Sequence, residues 1–177
     1  MKIKIVRECS EFLKASNGQP LVKMLPKGGP TVRSVKVRKR KSITSFDEAF
    51  NTVFSEHENI RQRCVFTNGV HSQSADPKLA PFYIFPKNGF RFMYSTEVTD
   101  SSQQYGSVFN HLKETMDEDN AIATISDVLL YDYKMTELAY GIRTGCEVII
   151  FGCQSYYAIQ KNSVKSYSTL FLSLIHI

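Results

Sequence analysis

The chain has 177 residues, 42% of them hydrophobic and 22% charged, a balance that does not resemble a disordered chain and suits a globular protein able to bury a core. Its formal net charge is +5, but the charge is unevenly spread: residues 1–41 hold twelve Lys and Arg against two acids, a net of +10, and residues 42–177 carry a net of −5. That asymmetry aims a basic surface at a polyanion, or else docks a basic segment on an acidic body.

The first forty-one residues are expected to hold short elements. Ile3 and Ile5 alternate with charged neighbours over Lys2 to Arg7, which reads as a strand with one face buried. Ser10 is placed to cap a short helix through Ala15, stopped by Asn17-Gly18. Leu21 to Leu25 reads as a strand, and Pro26-Lys27-Gly28-Gly29-Pro30 as a turn. From Thr31 a further strand runs into a basic tail. Val35 and Val37 share a face with Arg33 and Lys39, and Lys36, Arg38 and Arg40 share the other, with Lys41 following. Such charges also guard an exposed sheet edge against unwanted pairing.

The body has clearer periodicity. Ser45 to Glu58 reads as a helix: Phe46, Phe50, Val53 and Phe54 form one apolar stripe, and Ser45 with Glu48 fits a capping box. Gln62 to Thr67 reads as a strand. Phe82–Phe85 and Phe90–Tyr94 read as a hairpin around Pro86-Lys87-Asn88-Gly89, because Asn-Gly supplies the positive φ that tight turns need. Phe90, Phe92 and Tyr94 echo the G-F-x-F string of RNA-recognition sheets, but the βαββαβ order is missing and the alternation reads as core. Ser101 or Ser102 is placed to cap a helix to about Met116, whose stripe is Tyr105, Val108, Phe109, Leu112 and Met116. Asp117 to Asn120 reads as a solvated acidic loop that ends it. Short helices over Ser126–Tyr133 and Thr136–Arg143 then lead to a central strand, Cys146 to Phe151, with Tyr156–Gln160 as its antiparallel neighbour. Hairpins dominate over βαβ alternation. The expectation is a single α+β domain over residues 1–171, with a mainly antiparallel sheet and two or three amphipathic helices packed on one face.

The last six residues, Leu172 to Ile177, are what CTG TCT CTT ATA CAC ATC encodes, the start of a transposon end used in sequencing libraries. They are read as adapter read-through, with the natural chain continuing past about Phe171.

Site chemistry is sparse. There is no G-x-S-x-G elbow, phosphate loop or H-E-x-x-H. Cys9, Cys64, Cys146 and Cys153 are widely spaced and read as reduced, mostly buried thiols. His57, His71 and His111 have no metal-ligand spacing, and a Cys64/His71 nucleophile pair has no support. No catalytic, metal or cofactor residue is assigned. No apolar run reaches membrane-span length, so the chain reads as cytoplasmic, in bacterial or viral style, with no membrane partner. The basic segment remains: Arg33, Lys36, Arg38, Lys39, Arg40 and Lys41 are the candidate phosphate contacts of a non-enzymatic nucleic-acid-binding protein. Two other readings stand beside it. One is a viral-type interaction or inhibitory module docking on an acidic protein surface. The other is an enzyme with a site assembled from scattered residues.

Overall fold

The computed structural model describes residues 2–57, 59–69, 76–165, 169–170 and 172. His71, His176 and residues 173–177 of the suspected read-through lie outside the described residues.

Two short helices open the chain, α1 (Lys2–Glu8) and α2 (Ser10–Ala15). The expected strand over Lys2–Arg7 is therefore a helix. Ile5, Cys9 and Phe12 stand at i, i+4 and i+7 and are all buried, whereas Ile3 is 70% exposed. That stripe outweighs the two-residue alternation that suggested a strand. β1 (Leu21–Pro26) and β2 (Val32–Lys36) follow, separated by a turn in which Gly28 and Gly29 both take positive φ.

α3 (Ser45–Val53) carries the expected Phe stripe, but its capping box lies one residue earlier. The Asp47 N–H donates to Thr44 Oγ1 at 3.1 Å, and the Thr44 N–H donates to Asp47 Oδ2 at 2.9 Å. β3 (Val65–Asn68), β4 (Leu79–Pro86) and β5 (Arg91–Tyr94) come next. α4 (Ser101–Thr115) is capped by Asp100 rather than by a serine. α5 (Glu118–Asp132) absorbs the stretch read as an acidic loop. Asp117 caps it through the Asn120 N–H, and Glu118 and Asp119 occupy its first turn, where the helix dipole favours negative charge. α6 (Leu138–Thr144), β6 (Glu147–Phe151) and β7 (Ser155–Gln160) complete the order. None of the described helices is long and apolar enough to cross a membrane.

The seven strands form one antiparallel sheet in the order β2-β7-β4-β1-β3-β6-β5, an α+β fold of the expected class. Neither expected hairpin forms. β4 pairs with β1 and β7, β5 pairs with β6, and β6 and β7 are not neighbours. The order shows why the sheet cannot be flat. β6 and β7 stand four strand spacings apart, about 19 Å in a flat sheet, yet only Gly152 to Gln154 link them, a reach of about 14 Å. The sheet therefore folds back on itself. The two halves meet at β1 and β3, whose pairing register is Val22↔Asn68. The links after β2, β3, β4 and β6 cross from one half to the other.

Two cores result. The first joins α1, α2, α6 and the β4–β7 half, with Phe82, Ile84 and Phe85 fully buried beside Val148 and Ile150. Phe90 and Phe92 are half-buried against it, as the reading of these aromatics as core implied. The second joins α3, α4 and α5, the three amphipathic helices on one face, with Met93, Ile149 and Phe151 of the sheet. β6 serves both cores because alternate side chains face opposite ways.

Candidate nucleic-acid interface

The basic segment lies at a sheet edge. β2 pairs with β7 on one side and ends the strand order on the other, so Lys36 closes an edge strand and Arg38–Lys41 continue it as a loop. The loop is fastened at two points: the Val37 N–H donates to Gln154 O at 2.9 Å, and the Arg40 N–H donates to Gln62 O at 2.9 Å. Val37 is buried and anchors the strand end.

The six predicted cations divide into two groups. Arg33 is used by the fold: its guanidinium lies 4.2 Å from the Phe82 ring centre and donates to Pro26 O at 3.1 Å. Arg40 is also used, its Nη1 donating to Asp47 Oδ2 at 3.1 Å. Lys36, Arg38, Lys39 and Lys41 are exposed, and their side chains make no hydrogen bond or ion pair with any described residue. The segment is thus docked on the acidic body through one arginine and left open at four positions.

Behind Arg40 lies a buried polar network that the sequence did not reveal. Arg61 is fully buried. Its Nε donates to Asp47 Oδ1 at 2.7 Å, Nη1 to Ser101 Oγ at 2.6 Å, and Nη2 to Ser102 Oγ. The guanidinium also sits within 5.0 Å of the ring centres of Phe46, Phe50 and Phe66. Glu147 closes the network, accepting from Ser101 Oγ and Tyr133 Oη at 2.7 Å each, with Arg61 Nη1 at 3.8 Å. Burial pulls the Asp47 carboxyl upward, but the Thr44 N–H and the Arg61 guanidinium outweigh it and hold it below its usual range. Glu147 goes the other way: burial dominates over Arg61 and its hydroxyl donors, and its carboxyl is raised. The network links α3, α4, the C-terminal end of α5 and β6 through the segment that carries Arg61.

A cleft of about 480 Å³ opens beside it, lined among others by Lys23, Arg40, Cys64, Asp100 and Glu147. Lys23 donates to Phe66 O at 2.8 Å, and burial lowers its affinity for the proton. The cleft presents two cations and two carboxylates, so it offers no net charge to an anion. Burial, against the opposing Arg61, pushes the Cys64 thiol up to about 12, which disfavours the thiolate, the form that attacks. All four cysteines are free. Among the described residues no three His, Cys, Asp or Glu side chains form a cluster that could hold a metal ion. His111 faces solvent beside Glu114, with Nδ1 3.6 Å from its carboxylate.

No protein-family model, curated protein or solved structure matches this chain.

Proposed function

We propose that the protein binds nucleic acid through the phosphate backbone, with Lys36, Arg38, Lys39 and Lys41 as the contacting ridge. The observation that carries this is the division among the six cations. Two are consumed by intramolecular contacts, and four are exposed without a described partner on an edge strand and a doubly fastened loop. Unpaired cations on a fixed main chain release counterions when they meet phosphates, and that release supplies affinity without reading sequence. The balanced charges of the large cleft favour the ridge over the cleft as the contact surface.

The test is binding to duplex and single-stranded oligonucleotides over a salt series. The log–log salt slope should shrink by about 0.9 per neutralised cation on duplex DNA and about 0.7 on a single strand. Substituting Lys36, Arg38, Lys39 and Lys41 together by Gln should therefore flatten most of it. Affinity that ignores salt, or survives the fourfold substitution, overturns the proposal. An acidic protein partner that persists after nuclease treatment is then the competing explanation.

A further inference from the structure

We infer that a pocket formed by Arg63 and Arg91 beside the ridge receives the terminal phosphate monoester of a nucleic-acid strand. This rests on the reading of the ridge as a backbone-binding surface. The pocket has a volume of about 270 Å³ and is lined by Arg63, Arg91, Phe151, Gly152, Cys153 and Gln154. It holds two guanidiniums and no carboxylate, unlike the balanced cleft.

The two arginines are differently prepared. The Arg91 guanidinium stacks 5.0 Å from the Phe151 ring centre, and its Nη1 lies 3.3 Å from His57 Nδ1, which accepts when that nitrogen is unprotonated. Both contacts fix its plane. The Arg63 side chain is exposed and makes no hydrogen bond or ion pair with a described residue, so its fork is open to a ligand. Gly152 lets the turn come close: its φ is +80°, and a Cβ there would sit 3.1 Å from Gly89 O and 3.5 Å from Arg91 Nε.

The ridge and the pocket are physically joined. The loop bearing Arg38 and Lys39 is tied at one end to Gln154, which lines the pocket, and at the other to Gln62, next to Arg63. The ridge and the concavity are thus adjacent, so the end of a strand lying on the ridge can enter it. Charge selects the group that enters. A phosphodiester carries one negative charge, while a monoester carries about −1.5 to −2 at neutral pH and offers three acceptor oxygens. Two guanidiniums, Arg63 with its whole fork open and Arg91 held in place by His57 and Phe151, complement the monoester better, because an arginine fork can bond a phosphate bidentately.

The test compares one single-stranded oligonucleotide with a 5′-phosphate, with a 3′-phosphate, or with hydroxyls at both ends, by fluorescence anisotropy at fixed ionic strength. One phosphorylated end should bind roughly tenfold more tightly than the hydroxyl strand. In the R63Q/R91Q variant that ratio should fall to about one while the hydroxyl strand binds within about twofold of the unmodified protein. R63K/R91K, which keeps the charge and loses the forks, should restore only part of the ratio. The fourfold ridge variant should weaken all three strands and keep the ratio. Equal affinity for all three strands overturns the pocket and leaves the ridge standing. Failure to bind any strand overturns the ridge. Calorimetric titration of a 5′-phosphorylated mononucleotide against its nucleoside then reads the pocket alone. Binding of the mononucleotide that is lost in R63Q/R91Q sustains the pocket, and its failure to bind overturns it.

Discussion

Arg61 Nε and Asp47 Oδ1 meet at 2.7 Å, with both side chains almost wholly withdrawn from water. Neither can be changed alone without stranding the other. Arg61→Met removes the cation and leaves Asp47 with Arg40 alone at the half-exposed rim. Asp47→Asn leaves the more distant Glu147 as the remaining carboxylate beside Arg61. Each should cost about 3–5 kcal/mol, the range for breaking a buried pair from one side. Glu147→Gln should cost less, because its amide oxygen can still accept from Ser101 and Tyr133. Urea unfolding of the three variants checks the order. A loss in Glu147→Gln equal to that in Asp47→Asn defeats this account.

The two carboxylates also give stability opposite dependences on pH. Asp47 is depressed in the folded state, so its contribution is present above its unfolded value and is lost as pH falls through the folded one. Glu147 is raised, so the unfolded chain gives up that proton first as pH climbs. Stability then declines from the unfolded value upward through the folded one. Unfolding midpoints measured from acid to neutral pH should show both limbs. In Glu147→Gln the decline on the rising side should flatten, and in Asp47→Asn the acid-side loss should shrink. An unchanged slope above the ordinary glutamate range in Glu147→Gln contradicts the assignment.

Elements with long stripes were legible before the fold was known, and their partners were not. Phe46, Phe50 and Phe54 mark α3 because a helix repeats every 3.6 residues whatever it packs on. The strands β1, β4 and β6 stand out by apolar content alone. The hairpins failed because Asn88-Gly89 signals a change of direction and says nothing about the strand that receives the chain. The structure uses Asn88 for a different purpose. Its N–H donates to Glu8 O at 2.7 Å, its Nδ2 to Arg7 O at 3.1 Å, and its Oδ1 accepts from the Glu11 N–H at 3.1 Å. The residue fastens the α1–α2 junction to the crossing loop. Arg61, Arg63 and Arg91 were missed for a related reason: Arg61 and Arg63 form a short pair around Gln62 with no basic run to mark it, and Arg91 stands alone far along the sequence. Only the folded-back sheet brings Arg63 and Arg91 to the same turn.

That role for Asn88 can be checked separately. Asn88→Ala keeps the backbone donor to Glu8 O and removes the side-chain bonds to Arg7, Ser10 and Glu11. These bonds are exposed, so the expected cost is about 1–2 kcal/mol. Amide exchange should quicken over α1 and α2 and stay unchanged in α4 and α5, which belong to the other core. Uniform acceleration across both cores would show that Asn88 does not act locally.

Gly141 tests whether the sheet and α6 touch as closely as the packing requires. Inside a helix, Gly→Ala is ordinarily stabilising by roughly 0.5–1 kcal/mol, because glycine loses more backbone entropy on folding. Here a Cβ would sit 2.3 Å from the Tyr94 ring, far inside contact distance. Tyr94 is itself buried, and its backbone bonds Lys134 in both directions, the Tyr94 N–H donating to Lys134 O at 2.9 Å and the Lys134 N–H donating to Tyr94 O at 3.0 Å. The ring therefore cannot step aside without disturbing the end of β5. Overpacking of this kind costs about 1–3 kcal/mol, more than the helix gains. Gly141→Ala should lower the melting temperature, and the double change Gly141→Ala with Tyr94→Leu should recover part of the loss by opening space for the methyl group. A rise in melting temperature for the single change would mean that α6 stands further from β5 than the contact with Tyr94 implies.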